Sequence, residues 1–109
     1  MKHQTYDENR KILSDNYVSS LLLFLLEKGV VHTADLKEIS SYYQGVVEKA
    51  EKLRDIGLID IEEQQSPFRR KNFILTEEGK KIARKLYEAE SMLNDLLEEH
   101  TAEDQSLFK

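Results

Sequence analysis

Hydrophobic positions along the chain fall into blocks of different period, and the changes of period mark the elements. Val18, Leu21, Leu22 and Leu25 repeat at helical spacing. Gly29 follows, where a helix end favours a residue free to take positive φ, so residues 15–28 are predicted to be a helix capped by Ser14 or Asp15. Leu23, Phe24 and Leu26 fill the remaining faces, leaving no polar side over a turn and a half. A helix that is apolar all round must be buried on more than one side. A chain of 109 residues has a thin core, so a partner subunit is expected to cover what its own fold does not. Val30-Val31-His32 reads as a short extended link and a minimal first strand. Thr33 then caps a second helix, with Asp35 in its positive first turn and Leu36 and Ile39 pointing inward. Ser40-Ser41 makes a turn and caps a third helix, Tyr42 to Ile56, whose Val46, Ala50 and Leu53 face the core at i, i+4, i+7 spacing.

Gly57 sits where that spacing gives out, and Leu58, Ile59 and Ile61 shift the period toward two, that of a strand. Ser66-Pro67 interrupts the strand, since proline cannot sit in a central ladder. Arg69-Arg70-Lys71 then leads into Phe73-Ile74-Leu75, which makes a β-hairpin with a basic tip whose base is anchored by Phe68 and Phe73. Thr76 caps a last helix running from Glu77 to about His100, ~36 Å at 1.5 Å per residue. On it Ile82, Leu86, Ala89, Leu93, Leu96 and His100 recur at spacings of four and three, and Met92 and Leu97 widen the seam. The seam outruns the domain, which predicts homodimerisation in coiled-coil fashion. Its candidate contacts are Leu86, Ala89, Leu93, Leu96 and Leu97, with Leu23, Phe24 and Leu26 of the first helix. Residues 101–109 lack periodicity and are expected to fray, and residues 1–14 are expected to form a partly ordered arm.

Helix, Gly57-Leu58-Ile59, hairpin, Leu75-Thr76-Glu77-Glu78-Gly79, helix is the element order of a winged helix. Over roughly residues 15–86 the sequence resembles the winged helix-turn-helix transcriptional regulators of bacteria and archaea, broadly the MarR-like group. The resemblance implies an α+β fold: an arm at 1–14, a winged helix-turn-helix at 15–76 with a two- to three-stranded wing, and a long dimerisation helix at 77–100. It implies a dimeric regulator of double-stranded DNA in which the helix Tyr42–Ile56 enters the major groove by its N-terminal half. Ser41, Tyr43, Gln44 and Glu48 would then meet base edges. Arg69, Arg70 and Lys71 on the wing, with Lys80, Lys81 and Arg84, would contact phosphates.

Charge complicates this picture. The net charge is -5, whereas phosphate attraction rewards positive charge. The charges are segregated, however: seven basic residues against two acids between Arg69 and Lys85, then seven acids against Lys109 alone from Leu86 onward. Because salt screens beyond ~8–10 Å, one positive face can act within an acidic molecule. The outer side of the third helix departs from the family pattern, offering Tyr43, Gln44, Val47, Glu48 and Glu51, while Gly45 loosens the helix by ~1 kcal/mol relative to alanine. Those glutamates suit a basic protein partner, so a winged-helix interaction module with little or no DNA binding is the alternative.

Other chemistry is sparse. Without cysteine there is no disulfide or thiolate metal site, and His3, His32 and His100 lack ligand spacing, reading as surface residues. Glu62-Glu63 and Glu77-Glu78 read as turn or helix-start acids. No phosphate loop, carboxylate dyad or nucleophile constellation has usable spacing, so an enzyme, a metal or a cofactor is not expected. The longest apolar run, Leu21–Leu26, falls far short of the ~20 residues that span a bilayer, so the expectation is a soluble, cytoplasmic chain with no membrane partner. Operator, effector ligand and sign of regulation are not written in these residues.

Overall fold

The computed structural model of the chain describes residues 11–65, 67 and 69–103. The expected basic hairpin is therefore present, while Phe68 and the arm residues 1–10 lie outside the described part. Helix α1 is Val18–Lys28, α2 is Tyr43–Asp55 and α3 is Glu77–Glu103. Strands β1 (Val30–His32), β2 (Ile59–Gln64) and β3 (Arg70–Leu75) form an antiparallel sheet in the order β1-β3-β2. This is an α+β winged helix with a three-stranded wing.

The two-residue period seen in the sequence decides which sheet face is buried. Val31, Phe73 and Ile61 are paired across the sheet, as are Ile59 and Leu75, and this face closes on the helices. Phe73 on the central strand is fully buried. Around it gather Val18, Leu21, Leu22 and Leu25 of α1, Leu36, and Val46, Ala50 and Leu53 of α2. Ala83 of α3 completes this core, and Leu86 packs against it half-buried.

The helix starts differ from expectation, that of α1 for a tertiary reason. Neither Ser14 nor Asp15 caps α1: residues 12–14 form a short 3-10 turn and Tyr17 precedes the helix in the left-handed region at φ 72°. The Asp15 carboxylate is engaged elsewhere, 2.9 Å from Lys52 Nζ and 3.4 Å from Lys49 Nζ on α2. Tyr17 is directed toward α2 as well, its hydroxyl 3.5 Å from Ser40 Oγ. The left-handed conformation costs about 1–2 kcal/mol for a non-glycine residue, and these contacts across to α2 offset it. The second predicted helix is a 3-10 helix, Thr33–Glu38, entered from His32, whose N–H donates to the Asp35 carboxylate at 3.0 Å. Ser40 rather than Ser41 serves the next turn, its Oγ accepting from Tyr42 N–H at 3.1 Å.

The corner between α2 and β2 matches its sequence pattern in detail. Gly57 adopts φ 90°, its N–H donates to Arg54 O at 3.0 Å, and Leu58 N–H donates to Leu53 O at 2.9 Å. These are the paired bonds of a Schellman helix end. Thr76 locks the start of α3 onto it. Thr76 Oγ1 accepts from Gly79 N–H at 3.0 Å as an N-cap and donates to Gly57 O at 2.7 Å, while Thr76 N–H donates to Leu58 O at 3.0 Å. Helix α3 continues to Glu103, so residues 101–103 of the predicted frayed tail are helical; residues 104–109 lie outside the described part.

Candidate nucleic-acid interface

The outer side of α2 and the hairpin enclose one concave groove of about 740 Å³. Its α2 wall carries Tyr43, Gln44, Val47, Glu48 and Glu51, spaced to lie on one helical face. The hairpin contributes Glu63, Gln64, Gln65, Arg69, Arg70 and Lys71, and His32, Thr33 and Ala34 close the end beside Tyr43. Of the predicted contact residues, Tyr43, Gln44, Glu48, Arg69, Arg70 and Lys71 are therefore brought together.

Others are not. Ser41 is exposed just before α2 and does not line the groove. Lys80, Lys81 and Arg84 sit on the first two turns of α3, beyond the far end of β3. None of the three lines the groove. Lys80 and Lys81 are moreover paired with Glu77 and Glu78, each at 3.5 Å.

Four residues in or near the groove escape a reading by composition. Gly45 is buried and takes no part in the outer face; a Cβ there would lie 2.9 Å from the Tyr42 ring and 3.2 Å from the Tyr17 ring, so the glycine makes room for two tyrosines. Lys37 of the 3-10 helix stands over the Tyr43 ring, 5.5 Å from its centroid, and adds a cation beside that groove residue. His32, expected at the surface, is half-buried, and its Nδ1 is enclosed without a hydrogen-bond partner. Glu63, which reads as a turn acid, lies directly opposite Lys71 in the hairpin register. That register is the one signal in the sequence able to place Glu63 and Gln64 beside the basic residues.

The charges in the groove are balanced: Glu48, Glu51 and Glu63 against Arg69, Arg70 and Lys71. Lys71 Nζ lies 3.9 Å from Glu51 Oε2. Arg69 and Arg70 are exposed and, among the described residues, have no ion-pair partner. Behind α2, hydrogen bonds from Lys52 and then Lys49 hold the Asp15 carboxyl below the usual carboxylate range.

The predicted dimer residues divide along α3. Leu86 belongs to the domain's own core, whereas Ala89, Leu93, Leu96 and Leu97 are exposed, together with Tyr87 and Met92. Leu23, Phe24 and Leu26 are half-buried, and Leu23 and Leu26 line a second groove beside Tyr87. Among the described residues no cluster of His, Asp or Glu has the makings of a metal site, and no helix is long and apolar enough to cross a membrane.

No protein-family model matches the chain, and no curated protein matches it. Solved structures do. The structure of NadR in complex with 4-hydroxyphenylacetate superposes with a TM-score of 0.70 at 22% identity, over 91% of this chain and 74% of that one. The fold is that of MarR-like winged-helix regulators. A point mutant of MepR from a multidrug-resistant S. aureus clinical isolate gives 0.64 at 20% identity, over 98% of this chain and 83% of the other. Overoxidized AbfR bound to DNA gives 0.59 at 20% identity, over 97% and 82%. At such identities the likeness is one of fold, and what the groove binds depends on its own residues.

Proposed function

We propose that the chain is a DNA-binding transcriptional regulator that acts as a homodimer, with α2 in the major groove and the wing against the neighbouring phosphates. The observation that carries this reading is the shared groove. The N-terminal half of α2 and the exposed Arg69 and Arg70 face one concavity, so a duplex edge entering it meets polar side chains and two cations together. That a DNA-bound structure, AbfR, has the same fold is consistent with it. Tyr43 and Gln44 supply hydrogen-bonding groups for base edges, and Glu48 is suited to accept from a cytosine amine. Pairing along the exposed stripe Met92, Leu93, Leu96 and Leu97 would set two α2 helices at a fixed spacing, near one DNA turn of ~34 Å for a palindromic site.

One observation favours a second reading. Three carboxylates line the groove, which suits a basic protein surface, so the alternative is an interaction module. Fluorescence anisotropy with a random-sequence duplex at increasing salt separates the two. DNA binding predicts an affinity that falls linearly on a log-log plot with a slope of about -0.9 per phosphate contact. No saturable binding at low salt would remove the regulator reading and leave the interaction module.

A further inference from the structure

Resting on the DNA-binding reading, we propose that Glu51 is an internal stand-in for a DNA phosphate, keeping Lys71 of the wing from phosphate in non-specific complexes and so lowering non-specific affinity. The geometry is particular to this pair. Glu51 lies on the groove face of α2, and Lys71 lies on the first residues of β3, on the sheet face that turns toward α2. Their charged atoms are 3.9 Å apart with both side chains about two-fifths exposed, close enough to attract and open enough to part. Glu63, directly across the hairpin, supplies a second carboxylate beside the same lysine. Arg69 and Arg70 carry no such restraint among the described residues. The wing therefore holds two kinds of cation: two arginines ready for phosphate, and a lysine kept on a carboxylate and away from phosphate.

Keeping the lysine on its carboxylate has a thermodynamic signature. A cation already neutralised within the protein releases little from the DNA counterion atmosphere on binding, whereas a freed one adds about 0.9 to the salt slope. Removing the Glu51 charge thus raises non-specific affinity through Lys71 in particular, beyond the general gain from losing one negative charge near phosphates. Glu48→Gln removes an equal charge from the same groove without touching the pair, and serves as the comparison.

The test is duplex binding of wild type, Glu51→Gln, Lys71→Gln, the double variant and Glu48→Gln (alone and with Lys71→Gln), each titrated with salt against one random duplex. We expect Glu51→Gln to steepen the slope by about 1 and to tighten binding several-fold at low salt, with most of that gain absent when Lys71→Gln is also present. Glu48→Gln should keep its gain in the Lys71→Gln background. A Glu51→Gln slope equal to the wild type's, or a gain that survives Lys71→Gln in full, overturns the role of Glu51 while leaving DNA binding intact. A wild type that forms no salt-dependent complex overturns both.

Discussion

Replacing Gly79 with alanine should destabilise the domain, although alanine is the better helix former. Gly79 lies in the first turn of α3, where a Cβ would run into the Leu58 carbonyl oxygen and come within 3.0 Å of the Leu58 carbonyl carbon and 3.1 Å of Leu75 Cδ2. The first of these is backbone and cannot rotate away. It is also the acceptor for Thr76 N–H, so displacing it strains the bond that docks α3 on the corner. Overpacking of this kind costs about 1–3 kcal/mol, and a weakened hydrogen bond adds roughly 0.5–1.5 kcal/mol. The helix propensity of alanine returns about 1 kcal/mol. The net loss is about 2 kcal/mol, or roughly 8 °C in Tm for a domain of this size. Thermal unfolding followed by circular dichroism at one fixed protein concentration measures it, since dimer dissociation would otherwise shift the midpoint. Gly45→Ala is the companion variant: its closest obstacle is the ring of Tyr42, which is 61% exposed and free to swing aside, so the loss should stay within about 1 kcal/mol. An unchanged or higher Tm for Gly79→Ala would refute the claim that the Gly57–Thr76–Gly79 corner is close-packed.

Leu93→Asp places a charge in the middle of the exposed α3 stripe and should convert a dimer to a monomer; light scattering at tens of micromolar reads this, and a monomeric wild type contradicts the proposed pairing. Asp15→Asn should lower Tm at neutral pH by loosening α1 from Lys49 and Lys52 of α2. The folded state holds this carboxyl below its ordinary value, so its contribution is full above about pH 4 and fades as pH falls through the lower folded value. The Tm difference between Asp15→Asn and wild type should therefore shrink as pH falls below about 4, and a constant difference would point to a packing effect instead.

Local chemistry made parts of this fold legible in the sequence. A glycine at a helix end and a threonine three residues before another glycine act through bonds to near neighbours, so Gly57 and Thr76 could be placed from spacing alone. The sheet face was legible for the same reason, because strand alternation puts Ile59, Ile61, Phe73 and Leu75 on one side. What stayed hidden depends on residues far apart in the chain. Asp15 fits an N-cap by its position, yet lysines 34 and 37 residues away engage it, and the helix starts three residues later. Gly45 reads as a weak point on an exposed helix until the rings of Tyr17 and Tyr42 are seen against it. Lys80, Lys81 and Arg84 follow the wing closely in sequence, but they fall on α3 beyond β3 and do not line the groove. The balance of charge in the groove is equally non-local, since Glu51 and Lys71 meet only when the hairpin folds back on α2.

The central claim, that the α2–wing groove is where DNA binds, is tested most directly by a backbone amide chemical-shift titration of the labelled protein with a short duplex. Binding in the groove predicts shifts concentrated at Tyr43, Gln44, Val47 and Glu48 on α2 and at Arg69, Arg70 and Lys71 on the wing, with the far end of α3 undisturbed. Shifts confined to the first turns of α3 around Lys80, Lys81 and Arg84, or none at a duplex excess in low salt, would contradict it.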